Sequence, residues 1–395
     1  MTIRTGCEQF LADGTYRRFG QRVGLICNPT TVDSQLRHLA LTLRNLPDVE
    51  LVRLFAPEHG IWGTEQDMIA VNESIDPIIG IPVTSLYGTT EDSLRPPIET
   101  LVDLDCIIFD IQDIGSRYYT FIYTMMLCME VAALVGTHFV VLDRPNPIGG
   151  AVEGNLVQPE LSSFVGMHPI ATRHGMTPGE LARMFAAERH MDLELTVIPL
   201  KNWSRMSTYR DTGLPWVLPS PNMPTPETAL VYPGQCLLEG TNVSEGRGTT
   251  RPFELFGAPW IEPVILAEEL AKQQLPGVMF RPLYIQPTFH KFRGQRCGGL
   301  QIHVHQPALF QPLRTSITLL STLYRLWPAD LQWRTEVYEF VGDRLAIDLL
   351  FGDGRIRRAI EDGQEPNDIM DMMEADRLSF IERRAEFLLY PEIST

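Results

Sequence analysis

The first half of the chain alternates short apolar runs with longer helix-like segments, and this alternation constrains the fold more than any other feature. Five runs have the length and composition of strands: 22–27, 49–55, 105–110, 138–143 and 193–198. Helical patterns lie between them over 34–46 and 119–135. A further helix start is marked by Thr177, which can cap, by Pro178, which suits a first turn, and by Glu180, which completes a capping box. Strands that alternate with helices predict a parallel sheet with helices on its faces.

The second half of the chain has a different texture. Residues 216–234 are too dense in proline for regular structure, and we interpret them as the connection between two domains. Further elements are predicted after it: a strand within 299–305 and helices within 314–327 and 368–390. Because 395 residues exceed what one hydrophobic core usually supports, two domains are expected. The sequence therefore predicts an α/β domain over 1–228 and a smaller α+β domain over 229–395.

Charge and cysteine usage exclude several classes of protein. The chain carries 49 acidic and 33 basic side chains, and a formal charge of −16 opposes attraction to nucleic acid or to an anionic membrane. No stretch reaches the length of a membrane span, and the first thirty residues lack the apolar centre of a signal peptide, so the chain as written is expected to be cytoplasmic. An exported form remains an alternative. The six cysteines lack Cys-x-x-Cys spacing, so we predict buried thiols, at Cys27 and Cys106 for example, and no disulfides.

Polar residues end or follow four of the predicted strands. In an open parallel sheet, ligands bind outside the carboxyl ends of the strands, so these residues are expected to share a cleft. They are Asn28, Glu58, His59, Asp110, Gln112, Asp113, Arg117, Asp143, Arg144 and Asn146. Taken singly, an Asp or Asn in such a place often caps a helix or shapes a turn. Glu58 is different, because glutamate forms turns poorly and yet stands between Pro57 and His59 at a rigid strand end. We predict that Glu58 is a catalytic carboxylate.

A second polar segment, residues 238–250, is punctuated by glycines. Glu239, Asn242, Glu245 and Arg247 offer hydrogen-bond acceptors and a bidentate donor there, which predicts a ligand-binding loop; the alternative is a solvated turn between domains. No dinucleotide fingerprint, phosphate-binding loop or nucleophile elbow is present in the sequence, and no cofactor is predicted. The pattern that remains is a carboxylate-rich cleft suited to general acid–base chemistry on an uncharged polymer.

Several long segments of the chain resemble the former DUF1343 family, now known as the NamZ exo-acting peptidoglycan β-N-acetylmuramidases. They include VGLICNPTTVD, LFAPEHGIWG, FDIQDIGSRYYTF, VVLDRPNPIGG and LEGTNVSEGRGTTRPFELFGAPW, and the likeness extends from Val23 to Tyr390. The resemblance implies a Rossmann-like N-terminal domain, a smaller C-terminal domain and an active-site cleft between them. It also implies removal of β-1,4-linked N-acetylmuramic acid from the non-reducing ends of peptidoglycan fragments. The family's A-P-E-H-G glutamate corresponds to Glu58, and its E-G-T-N-x-S-E-G-R-G-T loop corresponds to 239–249.

Glycosidic cleavage normally uses a carboxyl group that protonates the leaving oxygen and a second group that acts as base or nucleophile. Glu58 is predicted to be the acid or base. Asp110, Asp113 and Glu245 are the candidate partners, and the acetamido group of the substrate is a further alternative. An arginine is expected to pair with the lactyl carboxylate of muramic acid, since a guanidinium binds a carboxylate bidentately. The predicted substrate-binding residues are Asn28, His59, Gln112, Arg117, Tyr118, Asp143, Arg144, Asn222, Glu239, Asn242 and Arg247.

Two rival functions are compatible with the same residues. A metal-dependent hydrolase would place Asp110, Asp113, Asp143 and His59 around a divalent ion. A non-catalytic glycan-binding protein would recognise the sugar in the same cleft without cutting it. The expected partner is a peptidoglycan-derived saccharide that ends in N-acetylmuramic acid, with no metal, nucleic acid or membrane span.

Overall fold

A computed structural model of the chain describes residues 3–12, 14–66, 68–69 and 74–390. Within these residues one large sheet has seven strands: β1 (Arg22–Cys27), β2 (Glu50–Ala56), β3 (Ser74–Ile75), β4 (Pro82–Ser85), β5 (Cys106–Asp110), β6 (His138–Leu142) and β7 (Leu195–Ile198). Their order is β3-β4-β2-β1-β5-β6-β7, and every neighbouring pair is parallel except β3 with β4. The predicted parallel sheet is therefore confirmed.

The strand order reverses between β1 and β5. From β1 the chain moves outward through β2 to β4, and it then returns to pair β5 with β1 before it continues through β6 to β7. Such a switch point opens a crevice at the carboxyl ends of the strands. The segments that follow β1, β2, β5 and β6 therefore meet at one edge of the sheet.

Helices cover both faces of this sheet, and further helices lie in the second half of the chain. The α-helices of the described residues are α1 (Gly6–Ala12), α2 (Leu39–Arg44), α3 (Phe121–Val135), α4 (Pro178–Glu188), α5 (Tyr209–Thr212), α6 (Pro226–Gln235), α7 (Pro263–Ala271), α8 (Pro312–Leu326), α9 (Ala346–Phe351), α10 (Gly354–Glu361), α11 (Pro366–Asp371) and α12 (Glu374–Arg384). Short 3₁₀ helices are Thr15–Phe19, Glu91–Leu94, Ile98–Thr100, Pro159–Leu161, Cys236–Gly240 and Ala385–Phe387. Among the described residues, no helix has the length and apolar character needed to cross a membrane.

The two faces of the sheet contribute to two separate cores. Alternate residues of β5 point in opposite directions, so Ile107 and Phe109 join α3 and α4 in the larger core while Cys106 and Ile108 join α1 and α2 in the smaller one. Because β5 is buried on both faces, its sequence is a continuous apolar run rather than an alternating one. The larger core also includes Leu350 and other side chains of the second half, so this half packs against the α3 side of the sheet.

The second half of the chain is an α+β region with an antiparallel sheet of its own. Its strands are β8 (Leu255–Ala258), β9 (Val278–Ile285) and β10 (Cys297–Val304), in the order β8-β10-β9. Helix α7 packs on β9 and β10, and α8 packs on α6 and α7. The predicted fold class, a parallel-sheet region followed by a smaller α+β region, is confirmed. The domain boundary at 228/229 remains a prediction, and it falls within α6.

Two sequence predictions differ from the structure in informative ways. The helix expected over 34–46 is confined to α2, because the Asp33 carboxylate accepts the backbone N–H groups of Gln35 and Arg37 in a turn, and the His38 ring then caps the helix. The prediction that 216–234 lacks regular structure is wrong in part, because α6 begins at Pro226. Thr225 caps this helix, Pro226 occupies its first turn, and Pro233 is accommodated near its end.

Two smaller predictions of local structure are confirmed. Thr177 and Glu180 form the expected capping box at the start of α4. All six cysteines are buried free thiols, as expected for a chain without disulfides.

Candidate active site

Glu58 lies two residues beyond the end of β2, at the edge where the polar loops meet. The chain turns sharply after it, because His59 and Gly60 both have left-handed backbone conformations, with φ values of 70° and 76°. One carboxylate oxygen accepts the Thr120 hydroxyl and the other accepts the backbone N–H of Met68, each at 3.1 Å. Only 6% of Glu58 is exposed, so its carboxylate is held in a defined position at the strand end.

Glu58 lines a cleft between the two halves of the chain. This cleft contains about 560 Å³ of space that protein atoms do not fill, counting its mouth. Its charged and amide side chains are Glu58, His59, Asn222, Glu239, Arg247 and Glu339. Aromatic side chains form much of the remaining wall: Tyr118, Tyr119, Phe121, Tyr232, Phe253 and Tyr338. A narrow cleft with aromatic walls and a few charged groups is the kind of site that binds and orients a small polar ligand.

Glu239 and Arg247 form a fixed ion pair in the wall that the second half of the chain contributes. The Arg247 guanidinium lies 2.8 Å from one Glu239 oxygen, and the Tyr338 hydroxyl donates to the other at 2.8 Å. Glycines flank Arg247, and a side chain at Gly246 would lie 2.2 Å from the backbone oxygen of Leu255. The glycine pattern of this loop therefore reflects close backbone packing that presents Arg247 to the cleft.

Glu245 lies behind Arg247 and does not line the cleft. Its carboxylate is 2.9 Å from the Lys291 ammonium, 3.2 Å from Arg247 and 3.4 Å from His290. Burial acts to raise the pKa of Glu245, but these positive charges outweigh it and lower the pKa to about 2. Glu245 is therefore ionised throughout the neutral range, and it fixes Arg247 from behind.

Several predicted residues lie at the switch point rather than in the Glu58 cleft. Arg144 donates two hydrogen bonds to Asp110, at 2.6 and 2.9 Å, and both side chains are buried. Gln112 and Arg144 line a separate, smaller pocket there. The Asn28 side chain accepts from the backbone and hydroxyl of Thr30 and so shapes the turn after β1. The structure thus brings these four predicted residues together, but away from Glu58.

Asp143 and Asp113 also hold structural elements in place. Asp143 accepts the Thr177 hydroxyl and the Gly179 N–H, each at 2.8 Å, as well as the Tyr390 hydroxyl, and so anchors the start of α4. Burial raises the pKa of Asp143 to about 7, although these hydrogen bonds act to lower it. Asp113 accepts the Gly115 N–H at 2.7 Å and lies 3.3 Å from the His174 ring.

Arg117 and Asn242 lie outside the cleft as well. The Arg117 guanidinium is fully buried and donates to four backbone carbonyl groups. Asn242 is held between the backbones of Asp330 and Gln332 and lines a separate surface groove. Six of the predicted site residues line the cleft: Glu58, His59, Tyr118, Asn222, Glu239 and Arg247.

Sequence reasoning did not identify several residues of the cleft. Tyr119 and Thr120 belong to the polar segment after β5 and directly follow Tyr118, the last residue of that segment predicted to bind substrate. Tyr338 and Glu339 come from a segment far along the chain, with no strand end or glycine pattern beside them. Only the packing of the two halves brings that segment to Glu58.

The cation site required by the metal-dependent alternative is not formed by the described residues. No group of three or more His, Cys, Asp and Glu side chains among them is arranged to hold a metal ion. Asp110, Asp113 and Asp143 have separate partners, and His59 lies in the cleft with its Nδ1 atom 2.8 Å from the backbone oxygen of Glu65.

Comparisons with known proteins agree with this architecture over nearly the whole chain. The family models for the N-terminal and C-terminal parts of exo-β-N-acetylmuramidase NamZ match residues 23–227 and 230–390. The peptidoglycan β-N-acetylmuramidase NamZ of Bacillus subtilis strain 168 is 44% identical over 389 residues, which cover 98% of this chain and 91% of that protein.

Two crystal structures of DUF1343 family proteins from Bacteroides fragilis NCTC 9343 have the same fold. One is 34% identical with a TM-score of 0.88, covering 98% of this chain and 99% of that one. The other is 28% identical with a TM-score of 0.78, and both chains are covered completely. With both family models matched in order and a curated relative of this identity, the chain belongs to the NamZ family of exo-β-N-acetylmuramidases.

Proposed function

We propose that the protein is an exo-acting glycoside hydrolase that releases β-1,4-linked N-acetylmuramic acid from the non-reducing ends of peptidoglycan fragments. One structural observation carries the proposal: a buried glutamate at a strand end, Glu58, lines an aromatic-walled cleft together with an arginine, Arg247. The family to which the chain belongs supports the same chemistry.

Glu58 acts as the general acid in this proposal. A glycosidic oxygen leaves readily only when it receives a proton as its bond to the anomeric carbon breaks. The hydrogen bonds from Thr120 and Met68 hold the carboxyl group in one orientation, so little reorganisation is needed when the proton moves. Thr120 precedes α3, and the position of Glu58 is therefore set by two elements of the large sheet region.

Arg247 recognises the anionic part of the sugar. The lactyl group of muramic acid carries a carboxylate, and a guanidinium is suited to bind it through paired hydrogen bonds. Three arginines were predicted from the sequence to bind substrate. Of these, Arg247 lines the cleft, whereas Arg117 and Arg144 donate to buried protein acceptors. The ion pairs with Glu239 and Glu245 keep its guanidinium in place at the wall. The aromatic side chains nearby offer apolar surface to the pyranose ring.

Hydrolysis of two chromogenic substrates tests this proposal. We expect the protein to release para-nitrophenol from the β-N-acetylmuramide and not from the β-N-acetylglucosaminide, which lacks the lactyl carboxylate. Among peptidoglycan fragments, those with muramic acid at the non-reducing end should lose it, and those that begin with glucosamine should stay intact. Binding of the muramide without release would instead identify a glycan-binding protein.

Chelation separates this mechanism from the metal-dependent alternative. If the reaction uses only protein side chains and water, the rate of para-nitrophenol release should be the same with and without EDTA. Activity that disappears with EDTA and returns with an added divalent ion would contradict the proposed chemistry.

A further inference from the structure

A tight turn at residues 338–341 has two residues with an unfavourable backbone conformation at its tip, and one of them, Glu339, lines the cleft. Tyr338 and Val341 exchange backbone hydrogen bonds of 2.9 and 3.0 Å, which leaves Glu339 and Phe340 at the tip. Both tip residues have left-handed backbones, with φ values of 46° and 69°. Two-residue turns with positive φ at both tip positions favour Asn-Gly, because a left-handed backbone is unfavourable for larger side chains. Backbone strain of this kind is concentrated at functional sites.

Each tip side chain has defined contacts. The Phe340 ring packs against Tyr87 and Phe164, with ring centres 5.8 and 6.4 Å apart. Glu339 is 7% exposed and lines the same cleft as Glu58. One of its carboxylate oxygens accepts the Tyr87 hydroxyl at 3.2 Å. Since Tyr87 follows β4, this hydrogen bond joins the two halves of the chain at the cleft.

The lining of the cleft includes three carboxylates, and their surroundings differ. Glu239 is bound in its ion pair with Arg247 and by the Tyr338 hydroxyl. Glu58 comes from the first half of the chain, whereas Glu339 comes from the second half and accepts the Tyr87 hydroxyl. Hydrolysis of a glycoside normally requires two carboxyl groups that flank the scissile bond. We propose that Glu339 is the second catalytic carboxylate, acting with Glu58 from the other half of the chain.

The reaction assigned to this pair rests on the proposed function. Glu58, as the acid, gives its proton to the glycosidic oxygen while the bond from that oxygen to the anomeric carbon breaks. Glu339, as the carboxylate, takes a proton from a water molecule whose oxygen forms the new bond to the anomeric carbon. Glu58 is then ionised and Glu339 protonated, and proton exchange with solvent restores both. Tyr87 is a positioning residue, because its hydroxyl orients the Glu339 carboxylate.

The strained backbone provides a test that separates catalysis from structure. Asparagine tolerates a left-handed backbone better than glutamate. This gain offsets the loss of the hydrogen bond from Tyr87, so Glu339→Asn should keep a melting temperature close to that of wild type. The same variant should lower kcat for the chromogenic β-N-acetylmuramide by about a hundredfold or more, the usual effect of losing a general base. The control is Glu336→Gln in the same segment, where the side chain is 76% exposed, and it should keep the wild-type kcat. A Glu339→Asn variant with kcat within about threefold of wild type would overturn the assignment.

Chemical rescue and a pH profile complete the test. Formate or azide should raise the rate of Glu339→Gly by about tenfold or more, because a small anion can replace the missing carboxylate. Loss of activity without such rescue, together with a lower melting temperature, would show a structural role instead. Tyr87→Phe should move the acidic limb of the pH–rate profile to higher pH, since the carboxylate loses a donor. A wild-type protein that does not cleave the muramide would refute the proposed function, whereas an active wild type with a fully active Glu339→Asn would refute only the assignment of Glu339.

Discussion

Arg117 is expected to stabilise the fold rather than to bind substrate, and a lysine at this position tests the distinction. Its guanidinium donates to the backbone carbonyl groups of Asn155 at 2.6 Å, Ile170 at 3.2 Å, Leu350 at 2.9 Å and Phe351 at 2.8 Å. These acceptors belong to both halves of the chain, so one buried cation joins them. Burial lowers the pKa of Arg117, and the four acceptors compensate for the loss of water around the charge.

The structure sets the expected magnitude. A lysine ammonium has three N–H donors on one atom, so Arg117→Lys loses at least one of the four hydrogen bonds. The Phe351 carbonyl would keep the Asn155 side chain as a donor, at 2.8 Å. A buried polar group without a partner costs about 1–3 kcal/mol, and the more strongly hydrated ammonium is also harder to bury. We therefore expect Arg117→Lys to lower the free energy of unfolding by about 2–4 kcal/mol.

Urea unfolding followed by tryptophan fluorescence measures this change. The control is Arg37→Lys. The Arg37 side chain is 65% exposed, so this variant should shift the free energy of unfolding by less than about 0.5 kcal/mol. The KM of folded Arg117→Lys for the muramide should stay within about threefold of the wild-type value. An unchanged stability with a KM raised about tenfold or more would refute the structural role and identify Arg117 as a substrate ligand.

Three further substitutions have expected outcomes. Arg247→Lys should raise KM for the muramide by about tenfold in initial-rate measurements, because paired hydrogen bonding to the lactyl carboxylate is lost; an unchanged KM would contradict this. Glu245 has a pKa of about 2 when folded against an ordinary 4.5, so its ionised form stabilises the protein above pH 4.5 and this contribution is lost as the pH falls towards 2. Glu245→Gln should lower the free energy of unfolding at pH 7 by up to about 3 kcal/mol, and a smaller loss at pH 7 than at pH 3 would count against it. Asp143 behaves in the opposite way, since its folded pKa of about 7 lies above the ordinary 3.8 and stability falls as the pH rises between these values. In thermal melts, Asp143→Asn should show a weaker decline between pH 4 and 7 than wild type, and an identical decline would refute this origin.

The strands of the sheet centre were predictable because burial on both faces leaves a clear signature. Apart from Arg22, Asp110 and His138 at their ends, strands β1, β5 and β6 consist of apolar residues and glycine, and the predicted 22–27 coincides with β1. Strands β3 and β4, at one side of the sheet, were not predicted, because they have two and four residues and leave part of their length exposed. Helix α6 was hidden by its prolines, since proline content alone does not distinguish a capped first turn from a loop.

The active-site cleft was predictable only in outline. Glu58 was found because ligands bind at the carboxyl ends of parallel strands. This criterion does not distinguish a side chain that lines the cleft from one that stabilises a neighbouring element. Asp143 stands at the same sheet edge and anchors α4 instead, and Arg117 follows β5 but turns into the core. Glu339 had no local signal, because a Glu-Phe tip lacks the Asn-Gly composition by which such turns are normally recognised. These distinctions depend on tertiary packing, which a single sequence does not specify locally.

The most direct test of the proposed activity is the kcat of Glu58→Gln on two substrates with different leaving groups. Glutamine keeps the size of the side chain but cannot give a proton. The kcat should therefore fall more for a substrate with a sugar leaving group than for one with para-nitrophenol, which leaves without protonation. On the disaccharide of muramic acid linked to glucosamine we expect kcat to fall by about a thousandfold, with a clearly smaller loss on the para-nitrophenyl muramide. The control is Glu50→Gln, at the exposed start of the same strand, which should match wild type. A Glu58→Gln variant that cleaves the disaccharide at the wild-type rate would contradict the assignment of Glu58 as the general acid.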